Sequence, residues 1–137
     1  MTQLRVVGSG LWSVKPAGAV SQSVLFLPHT RPAFNASYTP DLANGSAHAM
    51  VALTGAVTVN APVFTGGGLV DGLILIFRWL QDATGSRVVT YVTTAGGFHQ
   101  GTQLAAPTTT LSTTNIDVFM LNAGNGFWEL FARNSAI

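Results

Sequence analysis

The sequence predicts an all-β fold: an antiparallel β-sandwich or jelly-roll-like domain preceded by an extended N-terminal arm. Three observations lead there. Helix signals are nearly absent in a chain with 15 Gly and 6 Pro. The apolar segments are short and rich in Val, Ile, Thr and aromatics, which suit a pleated, half-buried surface. Turn residues separate them at the spacing of a sandwich with about seven or more short strands.

The elements follow in order. Leu4 to Val7 is a first short strand, and Ser23 to Leu27 a second that ends at Pro28. Gly8, Gly10, Pro16 and Gly18 break the chain between them. His29 to Pro40, with Pro28 before it and Pro32 inside, reads as extended chain because proline and its predecessor favour extended backbone. Ala47 to Leu53 alternates, with Ala47, Ala49, Val51 and Leu53 on one face and His48, Met50 and Ala52 on the other. Thr54-Gly55-Ala56 is a turn or bulge, and Val57 to Asn60 continues as a strand. Ala61 to Asp71 is a loop holding Gly66-Gly67-Gly68. Gly72 to Gln81 is the longest strand and is apolar on both faces apart from Arg78, the pattern of a strand covered on both sides. Asp82 to Ser86 is a compact turn with Gly85 where a positive φ is expected, and Arg87 to Val92 is the expected hairpin partner. Thr94 to Thr110 is a long loop. Asn115 to Leu121 and Phe127 to Ala132 form a last hairpin across Asn122-Ala123-Gly124-Asn125-Gly126. One domain suits 137 residues; residues 1–39 are the arm and 40–137 the sandwich.

Only 8% of the residues are charged, against about 25% in ordinary soluble domains. Charge keeps dissolved surfaces apart, and mean hydropathy is positive. The reading drawn from this is a surface largely covered by other subunits, in preference to a merely neutral Thr/Ser/Asn/Gly-rich one. Six basic and five acidic residues lie scattered, so nucleic-acid binding lacks its basic stripe. No cysteine is present, which removes disulfides and thiolate chemistry. No apolar run approaches the ~18 residues of a membrane helix, and the N-terminus shows no signal-peptide core.

No catalytic constellation stands out, and no enzyme activity or cofactor is expected. Asp41, Asp71, Asp82, Asp117 and Glu129 do not pair at a spacing suited to acid–base chemistry. Asp41 and Asp82 sit where an Asx side chain caps its own turn. His29, His48 and His99 lie far apart, and a metal site needs convergent ligands; only a symmetric oligomer, bringing copies of one histidine to an axis, would supply them. The triple glycine lacks the Lys-Ser/Thr of a phosphate loop. Trp79, Phe77, Phe119, Phe127, Trp128 and Phe131 fall on core strands. The candidate interface residues are Trp12, Leu25, Phe26, Phe34, Phe64, Phe98 and His99, where aromatic and apolar groups outside the main strands are placed to meet partners or to cover their own sandwich edge.

From Tyr38 onward the chain resembles a β-module of structural proteins of tailed phages and prophages. Leu53-Thr54-Gly55, Asn60, Pro62, Gln81 to Arg87, Leu111 to Thr114 and Asp117-Val118 carry the resemblance in register. Arg78-Trp79-Leu80 and the loop from Gly96 to Pro107 depart from it. The resemblance implies a virion component that assembles as an oligomer, commonly a trimer. A small module with an arm implies a capsid decoration (cement) protein on the virion surface, made in the host cytoplasm. Its partners would be itself, as a homotrimer, and the major capsid protein, with no nucleic acid and no membrane. The alternative is a small tail-fibre or baseplate module that binds a host carbohydrate receptor.

Overall fold

The computed structural model describes residues 29–102 and 106–137, and before them the backbone of three strands, Thr2–Val6 (β1), Leu11–Pro16 (β2) and Gln22–Leu25 (β3). The remaining strands are His29–Thr30 (β4), Ser37–Tyr38 (β5), Ala47–Leu53 (β6), Val57–Val59 (β7), Ile74–Gln81 (β8), Val89–Tyr91 (β9), Phe98–His99 (β10), Thr114–Asn122 (β11) and Phe127–Ser135 (β12). A single 3₁₀ turn, Leu42–Asn44, is the one helical element among the described residues. The fold is all-β.

The strands form three sheets. β1, β2 and β3 make an antiparallel sheet. A six-stranded sheet runs β10-β12-β11-β8-β6-β4, and a three-stranded sheet runs β5-β7-β9. From β4 to β9 the chain alternates between these last two sheets. As a result β4, β6 and β8 are parallel neighbours in one, and β5, β7 and β9 in the other. This is a coil with two strands per turn. The hairpin β11–β12 then adds antiparallel to β8, and β10 closes the far edge parallel to β12.

The expected hairpin between the strands before and after Gln81–Arg87 is therefore corrected: β8 and β9 lie in different sheets. The reason is local. Gln81 turns its side-chain amide onto the backbone of Arg87, donating from Nε2 to the carbonyl at 2.6 Å and accepting the N–H on Oε1 at 3.0 Å. The amide thus stands in for the strand that would have folded back. The strict alternation expected in Ala47–Leu53 is also broken. A register shift between Met50 and Leu53 places Leu53 opposite Gln81, on the same face as Met50 opposite Trp79. The C-terminal hairpin falls where the turn residues put it. The segment expected as an arm contributes β4 and β5 as edge strands of the two facing sheets.

The core lies between these two sheets. Leu75, Phe77 and Trp79 of β8, Phe119 and Leu121 of β11, Met50 of β6 and Trp128 of β12 meet Val57, Val59, Val89 and Tyr91 of the smaller sheet. Phe77, Tyr91, Phe98 and Phe119 form a cluster of edge-on and tilted rings with centroids 4.7–6.0 Å apart, the arrangement aromatic quadrupoles favour.

Candidate functional site

Three groupings of polar side chains are candidates for function. The first crosses the inner face of the six-stranded sheet in one row. Pairing registers set Thr30, His48, Phe77, Asp117 and Arg133 side by side on β4, β6, β8, β11 and β12. Phe77 thus has a buried imidazole on one side and a buried carboxylate on the other.

On the carboxylate side, Arg133 donates from Nε to Asp117 Oδ1 at 2.5 Å, with the two side chains 3% and 0% exposed. The Tyr91 hydroxyl donates to Asp117 Oδ2. The Trp79 indole N–H donates to the Tyr91 hydroxyl at 2.8 Å, and Arg133 Nη2 donates to Gln100 Oε1 at 3.0 Å. Burial, followed by the neighbouring Asp117 charge, pushes the Tyr91 hydroxyl well above its usual pKa, so it stays a donor. A charge so deep is tolerated only when paired and fully hydrogen-bonded, and this one is. A depression of about 350 Å³, lined by Thr90, Tyr91, Gln100, Pro107 and Arg133 among others, overlies the cluster.

On the imidazole side, His48 Nε2 donates to the Gly45 carbonyl at 2.8 Å, and the Tyr38 hydroxyl donates to Nδ1 at 2.5 Å. Both ring nitrogens are used, which fixes the neutral tautomer. Burial lowers the His48 pKa, and burial with the nearby Asp41 charge raises the Tyr38 hydroxyl to about 12. This histidine is a neutral brace between β6 and β5.

The second grouping joins two segments that carried the sequence resemblance. Asp82 accepts from the Thr84 and Gly85 N–H groups and pairs with Arg87 at 2.9 Å. Ser86 donates its N–H to the Thr109 carbonyl, Ser112 to Asp82 and Gln81 to Thr113. Gly85 has φ +69, and a Cβ there would lie 2.8 Å from the Leu111 backbone nitrogen, so only glycine fits. Gln81–Arg87 and Leu111–Thr114 thus lock together through backbone hydrogen bonds.

The third grouping is exposed. His99 stacks on Phe127 with ring centroids 3.7 Å apart and planes at 14°. Glu129, paired with His99 in register, accepts from Asn122 Nδ2 at 3.0 Å and Asn125 Nδ2 at 2.8 Å. These hydrogen bonds, with His99 close by, keep its carboxyl below the usual range.

Of the expected interface residues whose side chains are described, His99 alone is exposed. Phe98 is 0% exposed and belongs to the core: in β10 it sits opposite Trp128 on the inward face. Phe34 and Phe64 are partly buried against their own core, Phe34 over Gly55 and Phe64 over Gly67. The side chains of Trp12 and Leu25, and all of Phe26, lie outside the described residues. Asp41 and Asp82 cap turns as expected, Asp41 accepting from Ala43 and Thr65. The buried ion pair was missed. Its signal was Asp117 sharing an alternating face with Phe119 and Leu121, where a carboxylate demands a partner.

No group of three or more His, Asp or Glu able to hold a metal occurs among the described residues, and no helix among them is long and apolar enough to cross a membrane. No family model, no curated protein and no solved structure matches the chain.

Proposed function

We propose that this chain is a structural subunit of a tailed-phage virion: a capsid decoration protein whose sandwich-like body assembles as a homotrimer on the major capsid protein lattice and stabilises the shell. One observation carries the reading. The segments that resemble the phage module, Gln81–Arg87 and Leu111–Thr114, meet in space and bond to each other where β8 ends and β11 begins. The carboxylates agree with it. Asp41 and Asp82 cap turns, Asp71 accepts from the Ala123 N–H, Glu129 anchors the β11–β12 turn and Asp117 is buried in an ion pair. Such a body works by binding, and a lattice multiplies modest contacts by avidity. Quantitative mass spectrometry of purified particles tests the reading. Hundreds of copies per particle are expected; a handful, or none, overturns it. Sedimentation is expected to give a trimer.

A second reading, a tail-fibre or baseplate module for a host carbohydrate, is favoured by the exposed His99–Phe127 stack beside Glu129, Asn122 and Asn125. Aromatic faces with adjacent amide and carboxylate groups suit sugar rings. A handful of copies at the tail, with glycan-array binding lost in His99→Ala, would select it.

A further inference from the structure

We propose that a slot between Arg31 and Arg78 is a carboxylate-binding site, and that its ligand is a Glu or Asp side chain on an acidic segment of a different protein. The chain has six basic and five acidic residues. Arg87 is answered by Asp82, and Arg133 by Asp117. Asp41 and Asp71 accept from backbone N–H groups, and Glu129 from two side-chain amides. No acidic residue precedes Asp41. Arg31 and Arg78 therefore have no ion-pair partner among the described residues, which include every acidic side chain. Both arginines are exposed.

The backbone brings these two charges together. Thr30 pairs with His48, and His48 with Phe77, in the row that faces the core. One residue further on, Ala49 pairs with Arg78, and Arg31 follows Thr30. Alternation turns this next row away from the core. Pro32 favours extended backbone at Arg31, which continues the line of β4. Arg31 and Arg78 thus stand two strand spacings apart, about 10 Å, with only the methyl group of Ala49 between them. Two long side chains beside a short one leave a slot. The groove there has a volume of about 220 Å³ and is lined by Arg31, Ala49, Met50, Arg78 and Leu80.

The chemistry of the slot selects the ligand. A guanidinium is always charged, and its fork of N–H groups matches a carboxylate through two parallel bonds. Two of them at one slot repel each other until an anion enters. The volume lies below the ~300–1,000 Å³ of pockets for drug-sized ligands, and suits a single side chain. Ala49 and Leu80 give the slot apolar walls, which match the methylenes of Glu or Asp and not a bare inorganic anion. A second copy is a poor source, because each of its acidic side chains already accepts hydrogen bonds within its own chain. The site is independent of the virion reading; under that reading the acidic segment belongs to the shell protein.

Fluorescence anisotropy of the full chain with a labelled, C-terminally amidated hexaglutamate peptide at low salt tests the assignment. Binding is expected, with the hexaglutamine counterpart binding at least tenfold more weakly. Arg31→Ala and Arg78→Ala are each expected to weaken hexaglutamate binding about tenfold. Both sites are exposed, so both variants are expected to keep the wild-type near-ultraviolet signal of the core tryptophans. Ala49→Val keeps both charges but fills the slot, and is expected to weaken binding several-fold, an effect that a diffuse positive surface does not produce. Absence of hexaglutamate binding, or binding that the two arginine variants leave unchanged, overturns the site. Inorganic phosphate that displaces the peptide at an equal concentration of charge overturns the ligand, because the slot then takes free anions. Self-association of the wild type that Arg78→Ala abolishes overturns the choice of partner and assigns the slot to a second copy.

Discussion

The two flanks of Phe77 hold the same core by opposite means. On the β6 side, His48 is neutral, spends one nitrogen as donor and one as acceptor, and ties β6 to β5 and to the turn at Gly45. On the β11 side, Asp117 is a charge answered by Arg133 and by the Tyr91 hydroxyl. Both lie one strand from the same ring, in the same row. A neutral brace costs little to bury but fails when a proton arrives. An ionic brace holds only while its partner stays in place. The difference teaches that buried polar groups in one core have different weak points.

The sharpest way to break the comparison is to remove one charge. Asp117→Ala removes the carboxylate that answers the buried Arg133 charge and is expected to cost about 3–5 kcal/mol, read by urea unfolding. Replacing both partners, Asp117→Leu with Arg133→Met, is expected to recover most of that loss, because no unpaired charge remains. A single substitution as mild as the double one would show that water reaches the pair.

Next in size is the neutral flank. His48→Leu leaves the Tyr38 hydroxyl and the Gly45 carbonyl without their partner and is expected to cost about 1–3 kcal/mol. The pH dependence has a definite sign. Burial holds the folded pKa of His48 below the ordinary 6.5, so the unfolded chain takes up the proton first on acidification. The contribution is complete above about pH 6.5 and is lost as pH falls toward the folded pKa. Melting curves are expected to drop with acid more steeply in the wild type than in His48→Leu. Parallel slopes would assign acid sensitivity elsewhere.

The smallest effect compares two tryptophans. Trp79 and Trp128 are both buried. The Trp79 N–H bonds Tyr91, while the Trp128 N–H finds no partner among the described residues. Trp79→Phe is expected to lose about 1 kcal/mol more than Trp128→Phe. Equal losses would mean that the hydrogen bond to Tyr91 contributes nothing beyond packing.

Much of the fold was legible in the sequence, for a physical reason. Alternation separates the two faces of a strand, so Leu75, Phe77 and Trp79 stood together on one face, though a strand apolar on both faces left open which is inner; Asn122–Gly126 announced the last turn. Alternation says nothing about the direction of the neighbouring strand. A parallel coil and an antiparallel sandwich impose the same period of two, and the parallel pairings stayed hidden. Gln81 sharpened the ambiguity, since a compact turn after a strand reads as a hairpin unless its amide is known to take the partner's place. The site was less legible. Asp117 and His48 are single polar residues on apolar strands. Their partners, Arg133, Tyr91 and Tyr38, come from strands that only the topology brings near. His99 and Phe127 likewise meet only because β10 joins the sheet beside β12.

The topology also sets an order of events during synthesis. β8 leaves the ribosome with β6 already made and available on one side. Its other side stays unpaired until Thr114–Asn122 has been translated. Through that interval the most apolar strand of the chain, Ile74–Gln81, offers a bare row of backbone donors and acceptors, and such an edge pairs readily with any strand of matching pattern. The nearest matching strands on a polysome belong to other copies of this chain. Slowing translation after β8 should therefore raise aggregation, and supplying the β11–β12 hairpin in trans should lower it.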